Sequence, residues 1–363
     1  MTKAATRIAG FGVKDLRLFA ACAVLAAAAG VLHYTGTGGT VVPFVVAGLA
    51  LAVLASLVGR SVDALGDQLG SGATGVVQTA LGNLPELFVT LFALHAGLYD
   101  VVRAAIVGSI LANVLLVLGL AFFVGGIKHG PQQFGTDAAR TISLMLVLSV
   151  AALLVPSLTA ALHTPAAGHE RTLSIIVSIV LLGLFFASLP AMIKRRSTSP
   201  PGGGDDSEQE PEWSMPVALG MLGATGVAAA FVSDWFVAAL TPATSSLGIS
   251  DAFAGLVIVA IAGNAVENVV GIQLAARNEA DFALTLILQS PLQIALVLAP
   301  VIVLAAPLVG ATFTLVFSPL LIAVLAVSVI ITVIVVLDGE STWFEGLTLI
   351  ALYTLIATAF WWG

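Results

Sequence analysis

Two carboxylates interrupt long apolar runs, and each ends a short motif: Gly82-Asn83-Leu84-Pro85-Glu86 and Gly263-Asn264-Ala265-Val266-Glu267. The offset between them is 181 residues, and the same offset carries Asp100 onto Asp281 and Ser109 onto Ser290. An ionised carboxylate near the centre of a bilayer costs about 2.5 to 3.5 kcal/mol or more, so acids placed there serve a function. Hard cations take oxygen ligands from carboxylates, amides, hydroxyls and backbone carbonyls. Glu86 and Glu267, with Asn83, Asn264, Asn113, Gln293, Ser109 and Ser290, supply such a set. Pro85 lacks an N–H and opens the helix ladder near Leu81, adding a backbone carbonyl, and Pro291 has the same capacity further on. The two acids can instead take protons, titrating as a coupled unit. Emptied with both ionised, the site would cost on the order of 5 kcal/mol or more, so one divalent cation or two protons must be aboard when it moves. That chemistry is proton-coupled cation antiport, and the cation and H+ are then cargo rather than cofactors.

Such a site needs membrane-spanning helices to hold it. The chain has 363 residues, 59% hydrophobic and 9% charged, whereas a soluble domain carries about 25% charged residues. At roughly 20 residues per span, the apolar residues suffice for about ten. Runs bounded by Gly, Pro and charge give eleven candidate helices: 16–34, 41–59, 73–97, 101–125, 139–161, 172–193, 214–240, 251–276, 281–308, 315–337 and 344–362. The runs are too long and continuous for a β-barrel, so the expected class is an all-α polytopic membrane protein. The first helix reads as a span rather than a secretory signal, because its apolar stretch is long and no soluble mature domain follows.

With the N-terminus in the cytoplasm, the inner side holds Lys3, Arg7, Lys14, Arg17, Arg60, Lys128, Arg140, Lys194, Arg195, Arg196 and Arg277. Only Arg103 and Arg171 remain outside, a strong positive-inside bias. The expected location is the cell (inner) membrane, with the C-terminus and its Trp361-Trp362 anchor outside. Residues 194–213 read as a cytosolic linker: Lys194, Arg195 and Arg196, then Pro, Gly and Ser, then Asp205, Asp206, Glu208, Glu210 and Glu212. Composition makes it a solvated loop, with cation attraction or regulation as the sharper alternative. It divides the chain into 1–40 (N-terminus and first helix), 41–193 and 214–363.

Five helices separate the third from the eighth, so the two motifs run in opposite directions through the bilayer. Inverted repeats point to a transporter with its site at the midplane. At about 100° per residue, Thr79, Asn83, Glu86 and Thr90 form one polar stripe, and Asn264, Glu267, Asn268 and Gly271 form its counterpart. Ser109 and Asn113 share a face, as do Gln289 and Gln293, and the four faces are expected to converge on one cavity.

The third and fourth helices, GNLPELFVTLFALHAGLYDVVRAAIVGSILANVLLVLGLAFFVGG, resemble the first repeat of the cation/proton exchangers of the calcium:cation antiporter superfamily. GNAVENVVGIQLAARNEADFALTLILQSPLQIALVLAP resembles the second repeat, and DGESTWFEG (338–346) the family's late segment. The resemblance implies one helix followed by two inverted five-helix repeats, with Glu86 and Glu267 as the ion-binding acids. It also implies export of cytosolic calcium against proton entry. Leu84-Pro85 is closer to the sodium/calcium exchangers, and Asn268 stands where many calcium/proton exchangers have His. Na+(K+)/H+ or Na+/Ca2+ exchange is therefore the alternative within the superfamily.

His33, His95, His129, His163 and His169 show no ligand spacing and read as loop or interfacial residues. Asp100 and Asp281, at helix starts, would complement the helix dipole and are expected to act as caps rather than as gating residues. There is no HExxH, GxSxG or GxxxxGK[ST] motif to support a protease, a hydrolase or an ATP-driven pump. The chain is not expected to be an enzyme or to bind nucleic acid; its partners are the cargo ions and the lipid bilayer, and a homo-oligomer is left open. A cation channel and a non-transporting scaffold are the rivals from other classes. A scaffold would leave the duplicated motif unexplained, and inverted repeats with broken helices favour alternating access over an open pore.

Overall fold

A computed structural model describes residues 11–69, 81–198 and 213–362. In chain order the helices are α1 (Val13–Thr35), α2 (Val41–Leu69), α3 (Leu84–His95), α4 (Tyr99–His129), α5 (Thr136–Ala161), α6 (Glu170–Thr198) and α7 (Met215–Leu247). They continue with α8 (Asp251–Gly263), α9 (Ala265–Ala275), α10 (Ala280–Val309), α11 (Pro319–Val336) and α12 (Trp343–Phe360). Among the described residues nine helices are long and apolar enough to cross a bilayer, and α8 and α9, long and apolar enough together, meet at a 66° bend. Large apolar side chains such as Phe231, Ile334 and Leu355 stand outward and exposed, as a surface solvated by lipid requires. The molecule is a multi-pass helical membrane protein.

The 181-residue offset reappears in the backbone. It carries α3 onto residues 265–276, where α9 runs Ala265–Ala275, and α4 onto 280–310, where α10 runs Ala280–Val309. Within α4 the ladder widens to a π-helical turn at Ala112–Val117, and within α10 the matching turn is Ile294–Leu298. A third π turn, Ala254–Val259, lies in α8, and its mate at 73–78 falls outside the described residues. Such turns insert an extra residue into a helix and often mark functional positions. Pro85 is the second residue of α3, where a missing N–H costs nothing, so it starts the helix after the break at Gly82-Asn83. Pro291 is inside α10, three residues before its π turn.

Two compact units are formed, Met1–Val89 with Phe186–Ala243 and Thr90–Phe185 with Thr244–Gly363. Each takes segments from both halves of the sequence. In the first, α1 packs along α2 and Phe44 stacks on Phe236 at 4.8 Å. Asp15, 3% exposed, pairs with Arg60, whose guanidinium lies 5.9 Å from the ring of the buried Trp213. Gln68 Nε2 donates to the Trp213 carbonyl at 3.0 Å. The acidic residues 205–212 lie outside the described set.

In the second unit glycines bring helices together at backbone distance. A Cβ on Gly108 would stand 2.2 Å from the Leu256 carbonyl oxygen, and one on Gly255 2.3 Å from that of Val101, so α4 and α8 cross with no room for a methyl. Gly119 and Gly346 do the same for α4 and α12. The structure adds one element that apolar periodicity gives no hint of: Gln132–Gln133 (β1) pairs antiparallel with Glu340–Ser341 (β2). Just after β2, Thr342 and Glu345 form a capping box, Thr342 Oγ1 accepting from the Glu345 N–H and Glu345 accepting from the Thr342 N–H. Thr342→Ala is expected to lower stability by about 1 kcal/mol, read as a lower unfolding midpoint of the detergent-solubilised protein.

Candidate functional site

The break in each repeat places its glutamate by the same local rule. Asn264 occupies the turn between α8 and α9 and Asn83 the turn just before α3, and each accepts at its backbone oxygen from the N–H four residues on, Leu87 at 3.0 Å and Asn268 at 3.1 Å. Glu86 is then the third residue of α3 and Glu267 the third of α9. First-turn carboxylates face the positive end of the helix dipole, which lessens the cost of charge in the membrane. Glu86 is 1% exposed, and Thr90, one turn on, is equally buried. The side chain of Glu267 and the position of Thr79 lie outside the described residues.

Around Asn264 the second unit builds a buried polar junction. The carboxamide nitrogen donates to Ser109 Oγ of α4 at 3.1 Å and to the Ala260 carbonyl of α8 at 3.0 Å. Its oxygen accepts from Ser290 Oγ of α10 at 3.2 Å. Ser109 and Asn264 are fully buried and Ser290 is 5% exposed. Ser109 and Ser290, mates under the 181-residue offset, thus meet the same asparagine from two helices. Of the four faces expected to converge, those of Ser109 and Asn264 meet here, and the α10 partner is Ser290 rather than Gln289 or Gln293. Asn113, fully buried, shares the Ser109 face as expected, its Nδ2 donating to the Ser109 carbonyl at 2.8 Å. Gln289 and Gln293 are half-buried on α10, and Asn83 is half-buried at its break.

The oxygens left over matter more than those that are paired. Asn113 Oδ1 and Asn268 Oδ1 are buried without a hydrogen-bond partner. A buried acceptor left unpaired costs about 1 to 3 kcal/mol, and a hard cation or its water offsets that cost.

Several expectations need amending. Asp100 and Asp281 do not cap: the N-cap positions are Leu98 and Glu279, neither with a side-chain cap bond. Two residues past those positions, Asp100 pairs with Arg103 of its own helix at 2.9 Å and Asp281 accepts from the Gly135 N–H. Both stand in the first turn, at the positive end of the dipole, and Asp281 also ties down the segment before α5. His95 Nδ1 lies 3.1 Å from the Val309 carbonyl and His129 Nε2 3.1 Å from that of Ala276, both at helix ends. Ser328 and Thr332 are missing from the expected site, yet Thr332 Oγ1 reaches the Val114 carbonyl inside the α4 π turn at 3.1 Å. Their signal was available: they are the two polar side chains of α11, spaced i, i+4 in an otherwise apolar span.

The sodium/calcium exchanger protein family matches residues 39–194 and 217–362. A Ca(2+)/H(+) antiporter of Synechocystis sp. is 34% identical over 348 residues, covering 90% of this chain and 92% of that protein. The Ca(2+)/H(+) antiporter ChaA of Bacillus subtilis is 36% identical over 322 residues, covering 87% and 91%. The solved structure of native YfkE superposes with a TM-score of 0.78 at 32% identity, covering 94% of this chain and 99% of that one. With two exchanger repeats matched over nearly the whole chain, the protein belongs to the sodium/calcium exchanger protein family, on its cation/proton exchanger branch.

Proposed function

We propose that the protein is a secondary transporter that exchanges Ca2+ for H+ by alternating access, with Glu86 and Glu267 as the acids that hold either cation or protons. The observation that carries this reading is the paired helix break, which sets each glutamate third in a half-helix directly after a buried or half-buried asparagine. The donor set is entirely oxygen: two carboxylates, the amides of Asn83, Asn264, Asn113 and Gln293, and the hydroxyls of Ser109 and Ser290. That favours a hard cation. The names of the relatives from Synechocystis and Bacillus subtilis support calcium as the cation and the proton as its counter-ion. An empty site with both acids ionised is disfavoured in low dielectric, which supplies the reason for obligatory exchange. One leading helix, two five-helix repeats (41–193 and 214–363) and the joining segment 194–213 make up the transporter in this reading. The Lys and Arg distribution supports a cytoplasmic N-terminus and an outer C-terminus.

The test is proton release from inside-out vesicles on adding one cation at a time. Calcium is expected to discharge an imposed pH gradient, and calcium uptake is expected to cease when the gradient is collapsed. Calcium passage without any gradient would indicate a channel, and a response to sodium but not calcium would overturn the assignment.

A further inference from the structure

The duplicated site is not matched by duplicated surroundings. Helix α11 carries Ser328 and Thr332 within a stretch that is otherwise apolar, and both are buried, at 0% and 1% exposure. Under the 181-residue offset their mates on α5 are Val147 and Ala151, which carry no hydroxyl, and the mate of Asn113 is Ile294. All three polar residues therefore stand on one side of the pseudo-symmetry, and they meet at one place. Helix α11 packs against α4 and its π turn. Thr332 Oγ1 lies 3.1 Å from the Val114 carbonyl, next to Asn113, and 2.8 Å from the Ser328 carbonyl. Within one turn of that contact are two fully buried oxygens with no partner, Asn113 Oδ1 and Ser328 Oγ. Back-bonding to the preceding turn is the ordinary fate of a hydroxyl in a membrane helix, and it accounts for one of the two Thr332 contacts. It accounts for neither the reach across to Val114 nor the unpaired Ser328 hydroxyl.

We propose that Ser328 and Thr332 are working parts of the cation site: Thr332 is a positioning residue that holds the π turn through the Val114 carbonyl, and Ser328 Oγ with Asn113 Oδ1 binds a water molecule of the transported cation's shell. An uncharged pair of one hydroxyl and one amide oxygen suits water rather than a bare divalent ion, which calls for carboxylates. A water held by two polar groups completes a cation's coordination at small cost in immobilisation. The inference rests on the antiport reading above, and its test separates the two.

The purified full chain, reconstituted in liposomes with an imposed pH gradient, is assayed for calcium-driven proton release as wild type, Thr332→Val, Thr332→Ser and Ser328→Ala. Thr332→Val keeps the shape and removes the donor, and it is expected to raise the half-saturating calcium concentration about fivefold with a near-constant maximal rate. Thr332→Ser should restore half-saturation to within about twofold, and Ser328→Ala should raise it about threefold. A purely structural hydroxyl would lower the amount of folded protein and leave half-saturation unmoved. If Thr332→Val does not fold, Ser328→Ala decides, since it deletes a hydroxyl that makes no hydrogen bond in the structure. Wild-type half-saturation in the folded variants would overturn the inference while leaving the antiport reading intact. A wild-type chain that exchanges a different cation overturns the calcium assignment, and the same variants are then compared with that cation; a wild type that exchanges none overturns both.

Discussion

Glu86→Gln abolishes cation/proton exchange, with a loss of at least about a hundredfold expected in vesicle transport, and Glu267→Gln does the same. A carboxylate bound to a cation is worth about 3 kcal/mol at the upper end for charge-assisted contacts, which corresponds to about a hundredfold in affinity. Glutamine keeps the shape but neither binds a hard cation as an anion nor carries a proton across, so both halves of the cycle fail together. The protein itself should survive. Glu86 is 1% exposed, and replacing a buried acid with a neutral isostere removes a desolvation cost rather than adding one. The unfolding midpoint of the purified variants is therefore expected to equal or exceed that of wild type. Substantial transport in both variants would remove the two glutamates from the mechanism.

The second large effect is structural. Gly108→Ala should destabilise the protein by about 2 to 3 kcal/mol or more, the range for overpacked cores, because the new methyl meets the Leu256 backbone at 2.2 Å. A flexible side chain could turn aside; a carbonyl in a helix ladder cannot, so α4 and α8 must separate. Gly255→Ala, facing the Val101 carbonyl at 2.3 Å, should behave alike. Gly59→Ala is the control. Nothing lies within 4 Å of its added Cβ in α2, and alanine in a helix interior gains roughly 0.5 to 1 kcal/mol over glycine. The same one-methyl change is thus expected to move the thermal midpoint in opposite directions at positions 108 and 59. A Gly108→Ala protein as stable as wild type would show that the crossing is looser than the structure has it.

The separation of these two effects bears on how the exchanger is built. The glutamates are held by local structure, a helix break and the first turn after it, so exchanging one for an amide leaves the scaffold standing. The α4–α8 crossing is held by the absence of side chains, so it tolerates no addition. In the second unit the Asn264 junction joins three elements through one carboxamide.

The residue types and their spacing were enough for the helical membrane class, most of the spans and the repeat. Each of these depends on short-range physics: twenty apolar residues in a row must cross a bilayer, and a duplicated Gly-Asn-x-x-Glu must break two helices alike. The apolar stretch Ala139–Ala161 coincides with the expected fifth span for that reason. The three-way bonding of Asn264, the Gly108–Leu256 contact, the pairing of Gln132–Gln133 with Glu340–Ser341 and the reach of Thr332 to Val114 were decided by tertiary structure alone. Apart from the bonds of Asn264 to Ala260 and Ser290, these join residues 148 to 218 positions apart, which the periodicity of a single helix does not encode. Asp281 marks the same boundary: its place at a helix start was legible, but its donor, the Gly135 N–H, comes from a segment 146 residues away.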